Sequence, residues 1–267
     1  MTFVLVLLEI LFILFMLGSI LLYVFVLNIT WTWAQHHLST QPSFREILSL
    51  AAIEWGAIIS LEFSHLFRMK IFFEAPPIAQ SDVTPQQLPV VFVPSLHTGA
   101  GIFNFLFWRL KKNFWNSLWP FRWKPFLNQP ELLVDQLRQY IQNVIERTKT
   151  NRFRIVSFGS SRPIVSRLLD DQKLSIYCDK WIAISSPAQL SAPLELLSTR
   201  KLKLAYRKSE NLERNPDLLI VGENDFWCYP DKVWGNSKRI SLSRVGHFGT
   251  LLHSTTTQNV LKELSTT

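Results

Sequence analysis

Residues 154–165, RIVSFGSSRPIV, carry the most informative local pattern of the sequence. The first residues of this stretch have the apolar character of a buried strand, and Pro163 stands where a proline often begins a helix. Between them, Gly159, Ser160 and Ser161 form a turn of small residues. A serine on a sharp strand-to-helix turn can act as a nucleophile at the end of a sheet. The stretch therefore predicts a strand, a tight turn and a helix, with two candidate serines in the turn.

The two serines differ in their neighbours. A nucleophile on such a turn needs small residues two positions before and two positions after it, because the backbone is crowded there. For Ser161 these positions hold Gly159 and Pro163, whereas for Ser160 both positions hold bulky side chains. Ser161 also directly precedes the helix, whose dipole stabilises a negative oxygen. We therefore predict Ser161 as the nucleophile, although Gly-Ser-Ser turns are common without any function.

Strands and helices alternate on both sides of this stretch. Short apolar runs predict strands at residues 90–93, 153–158, 181–184, 218–221 and 240–242. Helical spacing of apolar residues predicts helices at residues 131–148, 163–169 and 257–264. Such alternation is typical of an α/β fold, with a mostly parallel sheet covered by helices on both faces.

Two polar residues follow later strands of this sheet. Asp225 comes just after residues 218–221, and His247 comes just after the last strand, in a Gly-His loop. A serine nucleophile needs a histidine base that is oriented by a carboxylate. In a parallel sheet all three side chains emerge at the carboxyl ends of their strands. Taken singly, Asp225 could be an ordinary loop carboxylate and His247 a surface histidine.

The order Ser, Asp, His is the order of the α/β-hydrolases. Residues 89–264 resemble that superfamily, in particular its bacterial lipase- and esterase-like members. The segments that carry the resemblance are VVFVPSLHTGAGIF, RIVSFGSSRPIVSRLL and KWIAISSPAQLSAPL. The resemblance implies cleavage of an ester without metal or other cofactor. In that mechanism Ser161 is acylated, His247 acts first as base and then as acid, and Asp225 holds His247.

The oxyanion loop and the turn depart from the family pattern. The resemblance implies that the backbone N–H groups of Leu96 and Arg162 bind the oxyanion. Pro94-Ser95 replaces the usual His-Gly, and Arg162-Pro163 replaces two small residues. These departures favour an alternative: a catalytically inactive protein of this fold that acts as a membrane-tethered binding or assembly module.

The N-terminal region is strongly apolar. Residues 3–26 contain one ionisable residue, Glu9, and are long enough to cross a bilayer. Neither a basic segment before them nor a cleavage site after them indicates a secretory signal. We therefore predict a retained transmembrane helix at about residues 3–27, in a bacterial inner membrane. The anchor favours a lipid or acyl ester as the substrate.

A second apolar stretch, residues 44–67, carries three carboxylates: Glu46, Glu54 and Glu62. Each costs on the order of 2.5–3.5 kcal/mol at the centre of a membrane on insertion scales. The stretch is therefore either a weak second span or a helix along the interface. The basic residues that follow favour a cytoplasmic location for the main domain.

The chain thus divides into a membrane anchor region (residues 1–73), a proline-rich linker (residues 74–88) and an α/β-hydrolase-like domain (residues 89–267). The net charge of +8 suits an anionic membrane surface. Aromatic and basic residues interleave in residues 104–126. This pattern fits a membrane interface or a packed core, and single-stranded nucleic acid less well, so no nucleic-acid partner is expected.

Overall fold

A computed structural model of the chain describes residues 2–37, 43–66, 87–96, 98–123, 129–186, 203, 214–225 and 237–266. Two helices come first, α1 (Thr2–His37) and α2 (Phe44–Leu66). The predicted linker lies outside the described residues except for residues 87 and 88. An α/β domain follows.

Six parallel strands form one sheet in the order β2-β1-β3-β4-β5-β6. The strands are β1 (Val90–Val93), β2 (Leu118–Pro120), β3 (Phe153–Phe158), β4 (Cys178–Ile184), β5 (Leu218–Gly222) and β6 (Lys238–Leu242). The five predicted strands and the α/β class are confirmed. Strand β2 was missed because it has three residues inside the aromatic segment, too few for a periodic pattern.

The helices of this domain are α3 (Asn104–Lys112), α4 (Pro130–Thr148), α5 (Arg162–Asp170), α6 (Gln172–Ser175), α7 (Gly249–Leu252) and α8 (Ser254–Ser265). The three predicted helices correspond to α4, α5 and α8. Proline lies in the first turn of both α4 and α5, where its missing N–H costs no hydrogen bond.

The sheet is buried on both faces because its strands alternate between two cores. Val90 and Phe92 contribute to one core, whereas Val91 and Val93 contribute to the other. The first core includes apolar residues of α3 and α8, and the second includes those of α4 and α5. The near-continuous apolar character of the strands follows from this double burial.

The aromatic segment supplies core residues in its described part. Phe107, Trp115, Trp119 and Phe121 are buried, while Trp108 is 40% exposed. The packed-core interpretation therefore holds for these four rings.

Helix α2 packs against the α/β domain. Its buried residues lie at helical spacing on one face: Ile47, Leu50, Ala51, Glu54 and Ala57. This face contacts the 3-10 turn Ala100–Phe103 and helix α7. On another part of its surface, α2 contacts α1, where Trp55 Nε1 donates a hydrogen bond to Ser19 O at 3.1 Å.

In the described part of the chain, no helix combines the length and the apolarity needed to cross a bilayer. The predicted transmembrane helix at about residues 3–27 therefore finds no support there.

Candidate active site

The candidate site lies at the point where the order of the parallel strands along the sheet reverses. The chain passes from β1 outward to β2 and then returns to β3 on the other side of β1. Open α/β sheets place their ligands at such a switch point, beyond the carboxyl ends of the strands. The segment Pro94-Ser95 follows β1, and Gly159 follows β3. These two strand ends form one side of the site.

His247 and Asp225 form the other side. Nδ1 of His247 lies 3.0 Å from each carboxylate oxygen of Asp225, and both side chains are buried. Close backbone contact between the ends of β5 and β6 brings them together. A Cβ atom on Gly222 would lie 2.1 Å from Val245 O, so only glycine fits there. With Nδ1 donating to the carboxylate, Nε2 is the basic nitrogen of the ring.

Aromatic rings fix the orientation of the imidazole. The ring of Phe158 lies 4.8 Å from the His247 ring, and the ring of Phe248 lies 5.0 Å from it, centroid to centroid. The structure thus brings together two of the three predicted triad members, Asp225 and His247.

Nε2 of His247 faces a glycine. Gly159 is the first residue after β3 and has a φ of +60°, the left-handed conformation expected at a strained strand-to-helix turn. A Cβ atom built on Gly159 would lie 3.4 Å from His247 Nε2 and 3.0 Å from Ser95 Cβ. A side chain at position 159 would contact the histidine base, but residue 159 is a glycine and has no side chain.

The geometry argues against Ser161 as the nucleophile. Ser161 is fully buried, and its hydroxyl donates to Phe158 O at 3.0 Å. The residues two before and two after Gly159 are Ser157 and Ser161, both small, so the frame of a nucleophile turn is centred on Gly159. The frame was placed two residues too late because a glycine was not considered for the reacting position.

Serine hydroxyls occupy the region where an oxyanion would bind. Ser95 Oγ and Ser160 Oγ share a hydrogen bond of 2.7 Å. The N–H of Leu96 donates to Ser160 Oγ at 3.1 Å, and the N–H of Ser160 donates to Ser95 Oγ at 3.3 Å. The N–H of Leu96 thus lies beside the turn after β3. The second donor after the turn is Ser160, not Arg162, which begins α5 and is buried.

Two adjacent serines after β4 donate hydrogen bonds to the two sides of the site. Ser185 Oγ donates to His247 O at 3.2 Å, and Ser186 Oγ donates to Gly159 O at 2.9 Å. Both side chains are buried. Sequence reasoning missed them, although Ser-Ser directly after a buried strand is a detectable signal.

Glu54 of α2 also reaches the site, which sequence reasoning missed because it placed α2 at the membrane. Its carboxylate accepts hydrogen bonds from the N–H of Phe248 and the N–H of Gly249, both at 2.9 Å. Burial raises the pKa of the Glu54 carboxyl group, and the two backbone N–H groups oppose that rise. A carboxylate within an apolar helix needs such partners, and this was the available signal.

Solved structures with a similar fold include two lipases. Mature Bacillus licheniformis lipase BlEst2 is 13% identical, with a TM-score of 0.54 over 68% of this chain and 94% of that chain. Aspergillus fumigatus lipase B is 15% identical, with a TM-score of 0.53 over 71% of this chain and 55% of that chain. No family model and no curated protein sequence matches the chain. At these identities the likeness shows the fold alone, a parallel α/β fold like that of the two lipases.

Proposed function

We propose that this chain, whose fold is that of the α/β-hydrolases, is a non-catalytic binding or assembly module. The observation that carries the proposal is Gly159 at the turn after β3, with its Cα facing His247 Nε2. Nucleophilic catalysis requires an oxygen or sulfur atom within hydrogen-bond reach of the base. Glycine supplies no such atom, so the base has no group to activate at that position.

The occupied oxyanion region supports the same conclusion. Acyl transfer needs backbone N–H groups that are available to the oxygen on which charge develops. Here the N–H groups of Leu96 and Ser160 already donate to serine hydroxyls. An ester carbonyl would have to displace these hydroxyls before it could be polarised.

A structural role explains why a His–Asp pair persists without a nucleophile. Asp225 is fully buried and His247 nearly so, and each satisfies a polar group of the other. Removing one partner of such a pair leaves a buried polar group without its hydrogen bond, which is costly. The pair therefore stabilises the loops after β5 and β6 even where no reaction occurs.

The second candidate function is ester hydrolysis with a displaced nucleophile, Ser95. Its Oγ lies 3.1 Å from the Cβ position of Gly159, which is itself 3.4 Å from His247 Nε2. In that mechanism His247 takes the hydroxyl proton, Ser95 Oγ bonds to the carbonyl carbon, and the alcohol leaves with the proton from His247. Water then releases the acid by the same steps. A lipid or acyl ester is the substrate class that the sequence favours.

Labelling with a fluorophosphonate probe separates the two functions. The purified full chain in detergent is compared with Ser95→Ala, Ser160→Ala, Ser161→Ala and His247→Ala. We expect no labelling of the folded wild-type protein, because the probe reacts only with an activated serine. Labelling that is lost in His247→Ala and in Ser95→Ala alone among the serine variants would establish the hydrolase instead. Loss in Ser161→Ala would restore the nucleophile that the sequence predicts.

The surface of α1 supports the further hypothesis that the module works at a lipid bilayer. Several of its large apolar side chains are more than half exposed: Ile13, Leu14, Leu17, Ile20, Leu21 and Val24. Such a surface is unusual in water, and the net charge of +8 complements anionic headgroups. We expect the chain to float with vesicles of anionic lipid and a variant with Leu17→Glu and Leu21→Glu to float less. Equal flotation of the two proteins, or no flotation of either, would refute the hypothesis.

A further inference from the structure

We propose that Glu54 is a positioning residue for the His247 loop, and that it makes α2 an integral part of the site. The N–H groups that Glu54 accepts from belong to Phe248 and Gly249, the two residues directly after His247. A residue 193 positions earlier in the chain than His247 therefore fixes the backbone that carries the imidazole. The inference goes beyond the proposed function and holds whether or not the site reacts.

The geometry of the hydrogen bonds is specific. Each carboxylate oxygen accepts one N–H, with Phe248 N bound to Oε2 and Gly249 N bound to Oε1. Two parallel hydrogen bonds to one planar group restrain both the position and the rotation of the loop.

The sequence of the loop is matched to the carboxylate. A Cβ atom on Gly246 would lie 2.4 Å from Glu54 Cδ, and one on Gly249 would lie 2.9 Å from Glu54 Oε1. Any side chain at Gly246 would therefore displace the carboxylate. Glycine on both sides of the His247-Phe248 pair allows the backbone to approach Glu54 closely, which is independent support for a dedicated contact.

Charge and burial make the contact sensitive to position. Glu54 and Asp225 are both fully buried, and His247 lies in the same cluster. Burial is the largest cause of the raised pKa of Glu54, and the nearby Asp225 raises this pKa further. The backbone N–H groups of Phe248 and Gly249 lower it, as does His247. A buried carboxylate is tolerated only when its hydrogen bonds are made. Movement of α2 along its axis would break both bonds and leave Glu54 without a partner for its oxygens.

The apolar face of α2 holds the helix in place around Glu54. Ile47, Leu50, Ala51 and Ala57 share that face and are buried. These apolar contacts hold the face against the domain, and the Glu54 carboxylate adds a directional contact to them. The register of α2 is thereby coupled to the position of the His247 imidazole.

Amide exchange and imidazole resonances of the isotope-labelled full chain in detergent test this inference. In Glu54→Ala we expect exchange of the Phe248 and Gly249 amides to accelerate about tenfold or more, since each loses its hydrogen bond to the Glu54 side chain. The His247 Nδ1–H resonance, assigned from its absence in His247→Ala, should shift or broaden. Glu54→Gln should protect one of the two amides, because its carbonyl oxygen accepts and its NH₂ group does not.

Glu46→Ala is the matched control. Glu46 lies on the same helix, and its carboxylate accepts hydrogen bonds from the N–H and the hydroxyl of Ser43. We expect it to leave the Phe248 and Gly249 amides and the His247 resonance unchanged. Unchanged exchange of both amides in Glu54→Gln would overturn the inference. If Glu54→Ala also exposes the amides of β3, it has unfolded the domain, and the Glu54→Gln result then decides alone.

Discussion

The two sides of the candidate site differ in how far they form the Ser–His–Asp arrangement that the sequence predicts. On the side of β5 and β6, His247 and Asp225 are hydrogen-bonded, buried and flanked by aromatic rings. On the side of β1 and β3, Gly159 faces the base, and serine hydroxyls accept from the oxyanion N–H groups. Buried serines donate hydrogen bonds to both sides, Ser185 to His247 O on the first and Ser186 to Gly159 O on the second. Burial and hydrogen bonding thus hold a His–Asp pair at a place where the facing residue has no side chain.

The largest expected effect tests whether the His–Asp pair is structural. Asp225→Ala should lower the free energy of unfolding by about 3–5 kcal/mol, because it leaves a buried imidazole without its partner. Denaturant unfolding of the full chain in detergent measures this. Asp225→Asn, which keeps the shape and one acceptor, should lose less. A loss below about 1 kcal/mol in Asp225→Ala, the scale of an exposed ion pair, would contradict the structural role.

Rebuilding the other side is the next test. The double variant Ser95→Gly with Gly159→Ser places a hydroxyl beside His247 and removes the side chain that a new Cβ would meet at 3.0 Å. We expect the double variant to be labelled by the fluorophosphonate at least about a hundredfold faster than the same double variant with His247→Ala added, since a general base contributes on that order.

Ser95→Gly with Gly159→Ser and His247→Ala is thus the control for that reconstruction. Equal labelling rates with and without His247 would show that the histidine does not reach the new hydroxyl. His247 would then not act as a base towards residue 159, despite the 3.4 Å between its Nε2 and the Cβ position of that residue.

A smaller effect comes from the turn itself. Gly159→Ala should destabilise the fold by about 1–3 kcal/mol, because a residue with a Cβ is strained at a φ of +60° and would crowd Ser95. Thermal or denaturant unfolding measures it. Gly56→Ala on α2, where a Cβ meets nothing within 4 Å, is the control and should not destabilise. Equal effects of the two substitutions would argue against strain at the turn.

A further effect is a dependence on pH. Burial raises the pKa of Glu54 in the folded protein above its ordinary value of 4.5. The folded state therefore binds more protons than the unfolded state above that value. The stabilising contribution is complete below pH 4.5 and is lost as the pH rises through the raised pKa, with a slope of up to about 1.4 kcal/mol per pH unit.

The difference in unfolding free energy between the wild-type protein and Glu54→Gln isolates this contribution, since glutamine does not titrate. We expect the unfolding free energy of the wild-type protein to fall relative to that of Glu54→Gln as the pH rises from 4.5 to 8. A difference that stays constant across that interval would mean that Glu54 titrates alike in the folded and unfolded states.

Local patterns of the sequence determined the α/β class, five of the six strands, and the positions of Asp225 and His247 at strand ends. Apolar runs and helical spacing indicate which residues are buried, and each pattern extends over a few neighbouring residues. Such patterns can therefore be recognised from the sequence alone. The pairing of Asp225 with His247 was predicted from chain order and is present in the structure.

Only the tertiary structure decided which residue of Gly159-Ser160-Ser161 faces the base, and that Glu54 belongs to the site. The turn residue is set by a backbone φ and by where β3 ends relative to His247, and neither is encoded by spacing alone. The partners of Glu54 lie about two hundred residues away in sequence, beyond any local pattern. Periodicity identifies which faces are buried, whereas contact between distant segments selects what each buried polar group does.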